Sequence, residues 1–302
     1  MDGPIVIGGL DRSGKTQLRL ALEPLPGIAW IRKVEPWTRF AGRLGDVRRP
    51  AIADRAIERL VSSPWLTGLA PDAERLRADL VVVLEDAGSA SIAEHRLLAL
   101  VLAHHAARTG CARWGLQEAG IERHAMSLLD ALPGARCVLL VRDPRDRLAA
   151  FPATRRRFGT AGPATAAWLA SVRQARAAAR RHPERVLIVR LEDLVARPAQ
   201  VLRAICEHLD AEYSDTLLGP AGGNPFAALA ASVGSYRDVL SVGEIELVQS
   251  LAPRAMIALG YDPVEPAFSA LGRARYWLYD APAGLARLTA SRARALVGAR
   301  LS

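Results

Sequence analysis

The segment that most constrains the fold is a loop near the N-terminus, Gly9-Leu-Asp-Arg-Ser-Gly-Lys-Thr16. A short apolar run (PIVIG, residues 4–8) precedes it, and leucines at helical spacing, Leu18 and Leu22 among them, follow it. This order predicts a strand, a tight turn and a helix. The spacing of the glycines, the lysine and the threonine matches that of a phosphate-binding loop.

This loop has the chemistry to hold an anion. Glycines let the backbone turn tightly, free amides at the start of the helix point at the ligand, and the helix dipole favours negative charge there. Lys15 adds a positive charge and Thr16 a hydroxyl group. The alternative is an ordinary strand–helix turn without a ligand, but the matching context on both sides favours the anion site.

The rest of the chain alternates short apolar strands with helices. Further strands are expected at 28–32, 137–141 and 186–191, and helices at 50–63, 72–86, 91–109, 121–132, 163–181, 198–209, 244–259 and 283–299, with an irregular loop at 219–235. We therefore expect one α/β domain over residues 1–302, of three-layer P-loop type with a mainly parallel central sheet. Helical insertions would lie near 36–110 and 211–283.

Composition excludes several other classes of protein. Half of the 302 residues are hydrophobic, enough for a sizeable core and too many for a disordered chain. The apolar stretches are much shorter than the roughly 20 residues that a membrane-spanning helix needs, and the first residues do not resemble a secretory signal. Three cysteines are too few for a disulfide framework or a zinc site. We therefore expect a cytoplasmic protein.

The charge balance narrows the class of ligand. The chain carries 40 Lys and Arg against 31 Asp and Glu, a net charge of +9. Such a balance is compatible with nucleic acids, acidic membranes or small anions as partners. Aromatic residues are scarce and do not alternate with basic ones, so we expect no nucleic acid partner. The loop and the charge together point to small anions.

A second candidate anion site follows the strand predicted at 137–141. The run RDPRD at 142–146 stands at its carboxyl end, where ligands of open α/β sheets bind. The guanidinium of Arg142 can grip a phosphate with two hydrogen bonds. A cluster of salt bridges within 142–146 is the alternative. The run RRR at 155–157 is most simply a solvated face, but near a phosphate we expect Arg155 to add a contact.

Together these motifs resemble the sulfotransferases that use 3′-phosphoadenosine 5′-phosphosulfate (PAPS). The two most specific ones are RSGKT at 12–16 and VRDPRD at 141–146. Weaker matches are RWG at 113–115, LPGAR at 132–136, VRLEDL at 189–194 followed by Pro198, SVGSYR at 232–237 and LGY at 259–261. The resemblance covers about residues 4–262.

The resemblance implies PAPS as co-substrate. It leaves the acceptor open among a sugar, a lipid-linked glycan, a natural-product hydroxyl and a peptide tyrosine, and of these we expect a small-molecule or glycan acceptor. No metal is implied, because Arg, Lys and backbone amides neutralise the developing charge. Arg12 would stabilise charge on the transferring sulfuryl group and on the bridging oxygen, and Arg142 would hold the 3′-phosphate. The 5′-phosphate would be held by Ser13, Gly14, Lys15, Thr16 and Gln17.

Four positions depart from the family pattern. Lys15 stands where a threonine is usual, so the loop also resembles an ATP-binding loop. Ala150 replaces a serine that binds the 3′-phosphate, Gln117 replaces a lysine, and Leu191 replaces the tyrosine of a YEDL motif.

Sulfuryl transfer also needs a group that accepts the proton of the acceptor. In one branch of the family a glutamate lies a little over twenty residues after the basic residue of the loop. Glu35 stands 23 residues after Arg12 and is therefore the expected catalytic base. An exposed loop glutamate is the alternative role. His104 and His105 are alternative bases, although a helix position without a catalytic role fits them better.

Two other functions fit parts of the sequence. An ATP-dependent kinase or NTPase would use the same loop, with 80–84 as a strand and Glu85 and Asp86 supplying a magnesium carboxylate. A helix at 72–86 fits this segment equally well.

A non-enzymatic adaptor would dock on a membrane or a partner through the basic amphipathic helix expected at 283–302. A terminal helix packed on the domain is the interpretation that we favour for it.

Overall fold

The computed structural model describes residues 3–85, 87–151, 160–219 and 224–264, together with residues 274 and 278. The strands are β1 (Ile5–Gly8), β2 (Ile28–Ile31), β3 (Arg113–Gln117), β4 (Arg136–Val141) and β5 (Val186–Arg190). The helices of the first half are α1 (Lys15–Leu22), α2 (Pro36–Phe40), α3 (Pro50–Val61), α4 (Ala73–Leu84), α5 (Ala90–Arg108) and α6 (Ala125–Ala131). Those of the second half are α7 (Pro144–Ala149), α8 (Ala161–Arg181), α9 (Leu191–Ala196), α10 (Pro198–His208), α11 (Ala227–Ala230), α12 (Tyr236–Val239), α13 (Val242–Leu251) and α14 (Pro253–Ile257).

All five strands form one sheet in the order β2-β3-β1-β4-β5, and every neighbouring pair is parallel. The predicted α/β class with a parallel central sheet is confirmed. Strand β3, which the sequence analysis did not predict, lies between β1 and β2. Its sequence RWGLQ contains a glycine and polar ends, so it lacks the continuous apolar run that marks the other buried strands.

Two helical layers cover the sheet because its strands alternate their side chains between the faces. Ile5 and Ile7 of β1 pack on one face with the buried leucines of α1 and α10. Val6, between them, packs on the opposite face with α5 and α6. The helical insertion predicted near 36–110 forms α2 to α5 and buries its apolar side chains in this second layer.

The structure corrects two predicted helices. The segment 121–132 consists of a 3₁₀ turn at Ile121–Arg123 and then α6. The segment 244–259 is divided between α13 and α14, with Pro253 at the start of the second helix. Proline has no N–H to continue a helical hydrogen-bond ladder, so it begins a new helix here.

The strand required by the kinase interpretation is absent. Residues 80–84 belong to α4, which Asp72 begins by accepting hydrogen bonds from the amides of Glu74 and Arg75. Asp86 lies outside the described residues. Glu85 lines a groove between α3 and α4. The segment therefore forms a helix and not the strand that would carry a magnesium carboxylate.

Two other predicted segments fall outside the described part of the chain. One is the basic helix at 283–302, and the other is the arginine run at 155–157, which includes Arg155. Within the described part, no helix combines the length and the apolar character needed to cross a membrane.

Candidate active site

The carboxyl ends of the parallel strands lie at one edge of the sheet, and the predicted site residues follow these ends. The loop 9–14 follows β1, Arg142 follows β4, and Glu35 lies four residues after the end of β2. A cleft of about 1010 Å³ runs along this edge. It is lined by Arg12, Gly14, Lys15, Thr16, Gln17, Glu35 and Arg142 among others, so the fold brings most of the predicted site residues together.

The first loop is shaped by two glycines that no other residue would replace easily. Gly9 has φ 122°, and a Cβ there would lie 2.3 Å from the carbonyl oxygen of Leu140. Gly14 has φ 91° and stands at the N-terminus of α1, which no side chain caps. The first amides of a helix have no intrahelical partner. Those of Lys15, Thr16 and Gln17 are therefore available to an anion in the cleft.

Lys15 is buried, and its ammonium group donates a hydrogen bond of 2.6 Å to the carbonyl of Leu10. Burial lowers the pKa of this lysine to about 8, an effect that the charges of Asp11 and Glu122 oppose in part. This hydrogen bond therefore links the end of the loop, at Lys15, to its beginning, at Leu10. An anion bound in the cleft would favour the charged form of Lys15.

The cleft is strongly basic. Its lining contains seven basic residues, Arg12, Lys15, Arg19, Arg32, Lys33, Arg39 and Arg142, against two acidic residues, Asp11 and Glu35. Such a concentration of one charge in a concave surface focuses the electrostatic potential and attracts anions.

Arg142 is buried beneath the cleft and holds two loops together. Its Nη1 donates to the carbonyl of Arg12 at 3.0 Å, and its Nη2 donates to the carbonyl of Ser232 at 2.7 Å. Its Nε is buried without a hydrogen-bond partner among the described residues, as is the Oγ of Ser13. Buried polar atoms are nearly always paired in native proteins. These two unpaired atoms therefore mark places where a polar ligand would complete the hydrogen bonding.

The other charged residues of the run 142–146 form an internal network of hydrogen bonds and ion pairs. For these residues, the structure shows the salt-bridge cluster that the sequence analysis gave as the alternative to an anion site. Asp143 accepts from the amide of Arg145 and forms a buried ion pair with its guanidinium at 2.7 Å. Asp146 accepts from the amides of Gly234 and Tyr236, at 2.7 and 3.0 Å. These residues position the loops around Arg142.

The weaker motifs enter the same network. Glu192 accepts from the amide of Asp143 at 2.9 Å and from the hydroxyl of Tyr261 at 3.0 Å. Burial raises the pKa of Glu192. The side chain of Arg145 reaches Gln249 at 2.6 Å and stacks on the ring of Tyr236. The segments around 192, 236 and 261 thus support the strand end that carries Arg142.

Glu35 also lines the cleft, directly before the start of α2. Its side chain is 42% exposed and forms an ion pair with Arg39 at 2.9 Å. The guanidinium of Arg39 also lies 3.4 Å from the centre of the Trp65 ring, and Trp65 lines the cleft. The sequence analysis missed both residues. The spacing of four between Glu35 and Arg39 was the available signal, since it joins side chains on one helix face.

The alternative bases do not line the cleft. His104 is buried on α5 and contacts Asp79 of α4 at 2.8 Å. His105 is the next residue of α5. Of the three candidate bases, Glu35 is the one whose side chain lines the cleft.

Glu118 is a buried carboxylate that the sequence analysis missed. It follows β3 and accepts hydrogen bonds from the amides of Trp37 and Thr38 at the start of α2. Burial raises its pKa to about 7. It fixes the short helix that carries Arg39, directly after Glu35. Because β3 itself was not predicted, nothing in the sequence placed Glu118 near this helix.

Besides Lys15, two further departures from the family pattern lie in the cleft. Gln117 donates to the hydroxyl of Thr16 at 3.2 Å and accepts from Arg19 at 3.3 Å. Ala150 lines the cleft beside Phe151 and offers no polar group. No group of three or more metal-ligating side chains is found in the described part of the chain.

A parallel α/β sheet, a glycine loop, an uncapped helix start and a basic cleft are together the features of an anion-binding site at the carboxyl edge of a sheet. A family model described as "Sulfotransferase family" matches residues 4–215, more than half of the chain. The chain therefore belongs to the sulfotransferase family and is a transferase.

Several solved structures are similar to this chain. The sulfotransferase domain of the olefin synthase from Synechococcus PCC 7002 is 22% identical, with a TM-score of 0.47, over 83% of this chain and 96% of that domain. The sulfotransferase domain from the curacin biosynthetic pathway is 18% identical, with a TM-score of 0.46, over 92% and 96%. A sulfotransferase from Mycobacterium avium is 15% identical, with a TM-score of 0.44, over 88% and 79%. No curated protein gave a significant match.

Proposed function

We propose that this sulfotransferase moves a sulfuryl group from PAPS to a hydroxyl or amine of an acceptor. The observation that carries the proposal is the single cleft that joins the glycine loop, Arg142 and Glu35. It offers an anion-binding helix start, a buried arginine and a carboxylate in one cavity.

The residues of the cleft fit a donor with two phosphate positions. The amides at the start of α1 and Lys15 would hold the 5′-phosphate, with the unpaired hydroxyl of Ser13 as a further donor. Arg142 would hold the 3′-phosphate through its unpaired Nε. Guanidinium groups bind phosphate oxygens with strong charge-assisted hydrogen bonds. Because Ala150 has no hydroxyl group to donate, Arg142 would supply a larger share of the hydrogen bonds to the 3′-phosphate.

When bound, PAPS supplies a sulfuryl group whose bond to the bridging oxygen breaks as the acceptor forms a new bond to sulfur, leaving 3′-phosphoadenosine 5′-phosphate. Arg12 is exposed in the cleft with φ 69°, and it faces the negative charge that grows on that oxygen. Glu35 takes the proton of the acceptor on its carboxylate. Arg39 orients this carboxylate through their ion pair.

A thermal-shift screen tests the donor class. We expect 3′-phosphoadenosine 5′-phosphate to raise the melting temperature more than AMP, ADP or ATP, with no need for magnesium. A ligand at 100 times its Kd stabilises the fold by about 2.7 kcal/mol. A larger shift with ATP and magnesium than with the bisphosphate would contradict the proposal.

A further inference from the structure

We infer that the acceptor carries an anionic group of the carboxylate type, and that Lys33 binds it. This inference rests on the proposed function, since it assigns the part of the cleft that the donor does not use. The relevant surface is the β2 wall, defined as Arg32, Lys33, Glu35, Arg39 and Trp65, together with Arg19 of α1.

The order of the strands separates this wall from the donor residues. The β2 wall follows the edge strand β2, whereas the glycine loop follows β1 and Arg142 follows β4. Strand β3 lies between β1 and β2. Neighbouring strands are about 4.8 Å apart, so the ends of β1 and β2 are separated by roughly 10 Å. The acceptor therefore approaches Glu35 from the side of β2.

The β2 wall has more positive charge than Glu35 and the neighbouring Glu23 neutralise. Arg19 and Arg32 both contact Glu23, and Arg39 pairs with Glu35. Lys33 forms no side-chain hydrogen bond or ion pair with any described residue. Four basic groups against two carboxylates leave a net charge of +2 beside the expected base. A neutral acceptor would leave this charge unused, whereas an anionic one would be attracted and oriented by it.

The backbone gives an independent reason to single out Lys33. It has φ 59°, a left-handed conformation that non-glycine residues seldom adopt. Arg12, the other basic residue of the chain with such a φ among the described residues, lines the same cleft at 69°. A glycine or asparagine would adopt this conformation more easily. Strained positions of this kind cluster at functional sites, and here both carry a cation that faces the cleft.

The test compares acids with their neutral amides as ligands of the β2 wall. Three pairs serve as probes: benzoate and benzamide, 3-hydroxybutyrate and 3-hydroxybutyramide, and glucuronate and glucuronamide. Binding to the full chain is measured by ligand-observed NMR at low ionic strength, with and without saturating 3′-phosphoadenosine 5′-phosphate. In at least one pair we expect the acid to bind about 10-fold more tightly than the amide, as a charge-assisted hydrogen bond allows.

Variants assign this preference to Lys33. Lys33→Gln should remove most of it, Lys33→Arg should restore it, and both should bind 3′-phosphoadenosine 5′-phosphate as the wild type does. Arg48→Gln is the matched control, because Arg48 pairs with Asp46 outside the cleft and its removal changes the net charge equally. A wild type without acid preference in any pair, or a preference that survives Lys33→Gln, overturns the inference. A wild type that does not prefer 3′-phosphoadenosine 5′-phosphate over AMP would instead contradict the proposed function. The acid and amide probes, measured without nucleotide, would in that case still test whether Lys33 binds a carboxylate.

Discussion

Lys15 shows how one substitution can change the behaviour of a binding loop. The family pattern has a threonine at this position, whereas here a buried ammonium donates to the carbonyl of Leu10. Its pKa of about 8 lies within the range of ordinary assays. Binding of an anion should therefore be coupled to the protonation of this residue.

We expect the affinity for 3′-phosphoadenosine 5′-phosphate to fall as the pH rises through 8, because the neutral amine of Lys15 no longer attracts the 5′-phosphate. Between pH 7 and pH 9 the loss should be about 5- to 10-fold, as for a single proton that binding requires. Lys15→Thr should bind with little pH dependence over this range. Calorimetry at five pH values measures both proteins, and parallel profiles would show that Lys15 does not contact the ligand.

Glu35 is the second residue with a role that a single substitution tests. Glu35→Gln keeps the size of the side chain but cannot take a proton, so turnover should fall about 10²- to 10⁴-fold. Binding of 3′-phosphoadenosine 5′-phosphate should stay unchanged. Turnover is measured as release of the bisphosphate together with a sulfated product detected by mass spectrometry. Glu58→Gln, on the exposed side of α3, is the control. Equal turnover of Glu35→Gln and wild type would remove Glu35 from the mechanism.

At the scale of elements, the sequence predicted best where a strand is a continuous apolar run. Strands β1, β2, β4 and β5 satisfy this condition, and so does the loop that joins β1 to α1. Strand β3 does not, because its neighbours in the sheet, and not its own sequence, stabilise it. The same limit explains why Glu118 was missed, since its partners at 37 and 38 are about 80 residues away.

The network around Asp146 gives a prediction for one loop. Asp146→Asn removes the charge and leaves one amide oxygen for two backbone donors, Gly234 and Tyr236. Leaving a buried donor unpaired costs about 1–3 kcal/mol. We expect faster hydrogen exchange at these two amides and weaker bisphosphate binding, because Ser232 accepts from Arg142. Asp238→Asn, at an exposed position of α12, should change neither. Unchanged exchange in Asp146→Asn would contradict this role.

At the scale of the whole molecule, buried histidines and a buried carboxylate oppose each other in their effect on stability. Burial lowers the pKa of His95 and of His124 to about 4, and it raises that of Glu118 to about 7. The contribution of the two neutral histidines to the free energy of unfolding is present above pH 6.5 and is lost as the pH falls towards 4. The contribution of the protonated Glu118 is present below about pH 4.5 and is lost as the pH rises through 7.

We therefore expect a net loss of stability in mild acid. Each histidine contributes a loss of about 3 kcal/mol when its titration is complete, and Glu118 offsets about one of them. His95→Gln should reduce the acid loss, since its amide oxygen can still accept from the indole of Trp37. Glu118→Gln should increase it. Urea unfolding at pH 7 and pH 4.5 measures all three proteins. A change of the same sign in both variants would contradict this account.

One part of the candidate site could be predicted, because a phosphate-binding loop is built from residues that are adjacent in the sequence. The loop 9–16 and Arg142 were recognisable from a strand and the residues just after it. Apart from Glu35, the β2 wall was not recognisable, because Trp65 and Arg39 meet only when the chain between β2 and β3 folds over the cleft. Its charges also pair with residues that no local pattern connects, such as Arg32 with Glu23.

The central claim is that Arg142 binds a 3′-phosphate, and a double-difference cycle tests it most directly. Calorimetry measures 3′-phosphoadenosine 5′-phosphate and AMP on the wild type and on Arg142→Ala. Arg147→Ala is the matched control, because Arg147 is also buried and also donates to two backbone carbonyls, those of Asp11 and Ala164, without lining the cleft.

The wild type should prefer the bisphosphate by about 1.5–3 kcal/mol, or roughly 10- to 150-fold in affinity. Arg142→Ala should lose most of this preference, and Arg147→Ala should keep it even if both variants bind AMP more weakly through a loosened loop. The cycle separates the 3′-phosphate contact from such general effects. A wild type that binds AMP as tightly as the bisphosphate would contradict the account, as would an Arg142→Ala variant that keeps the full preference.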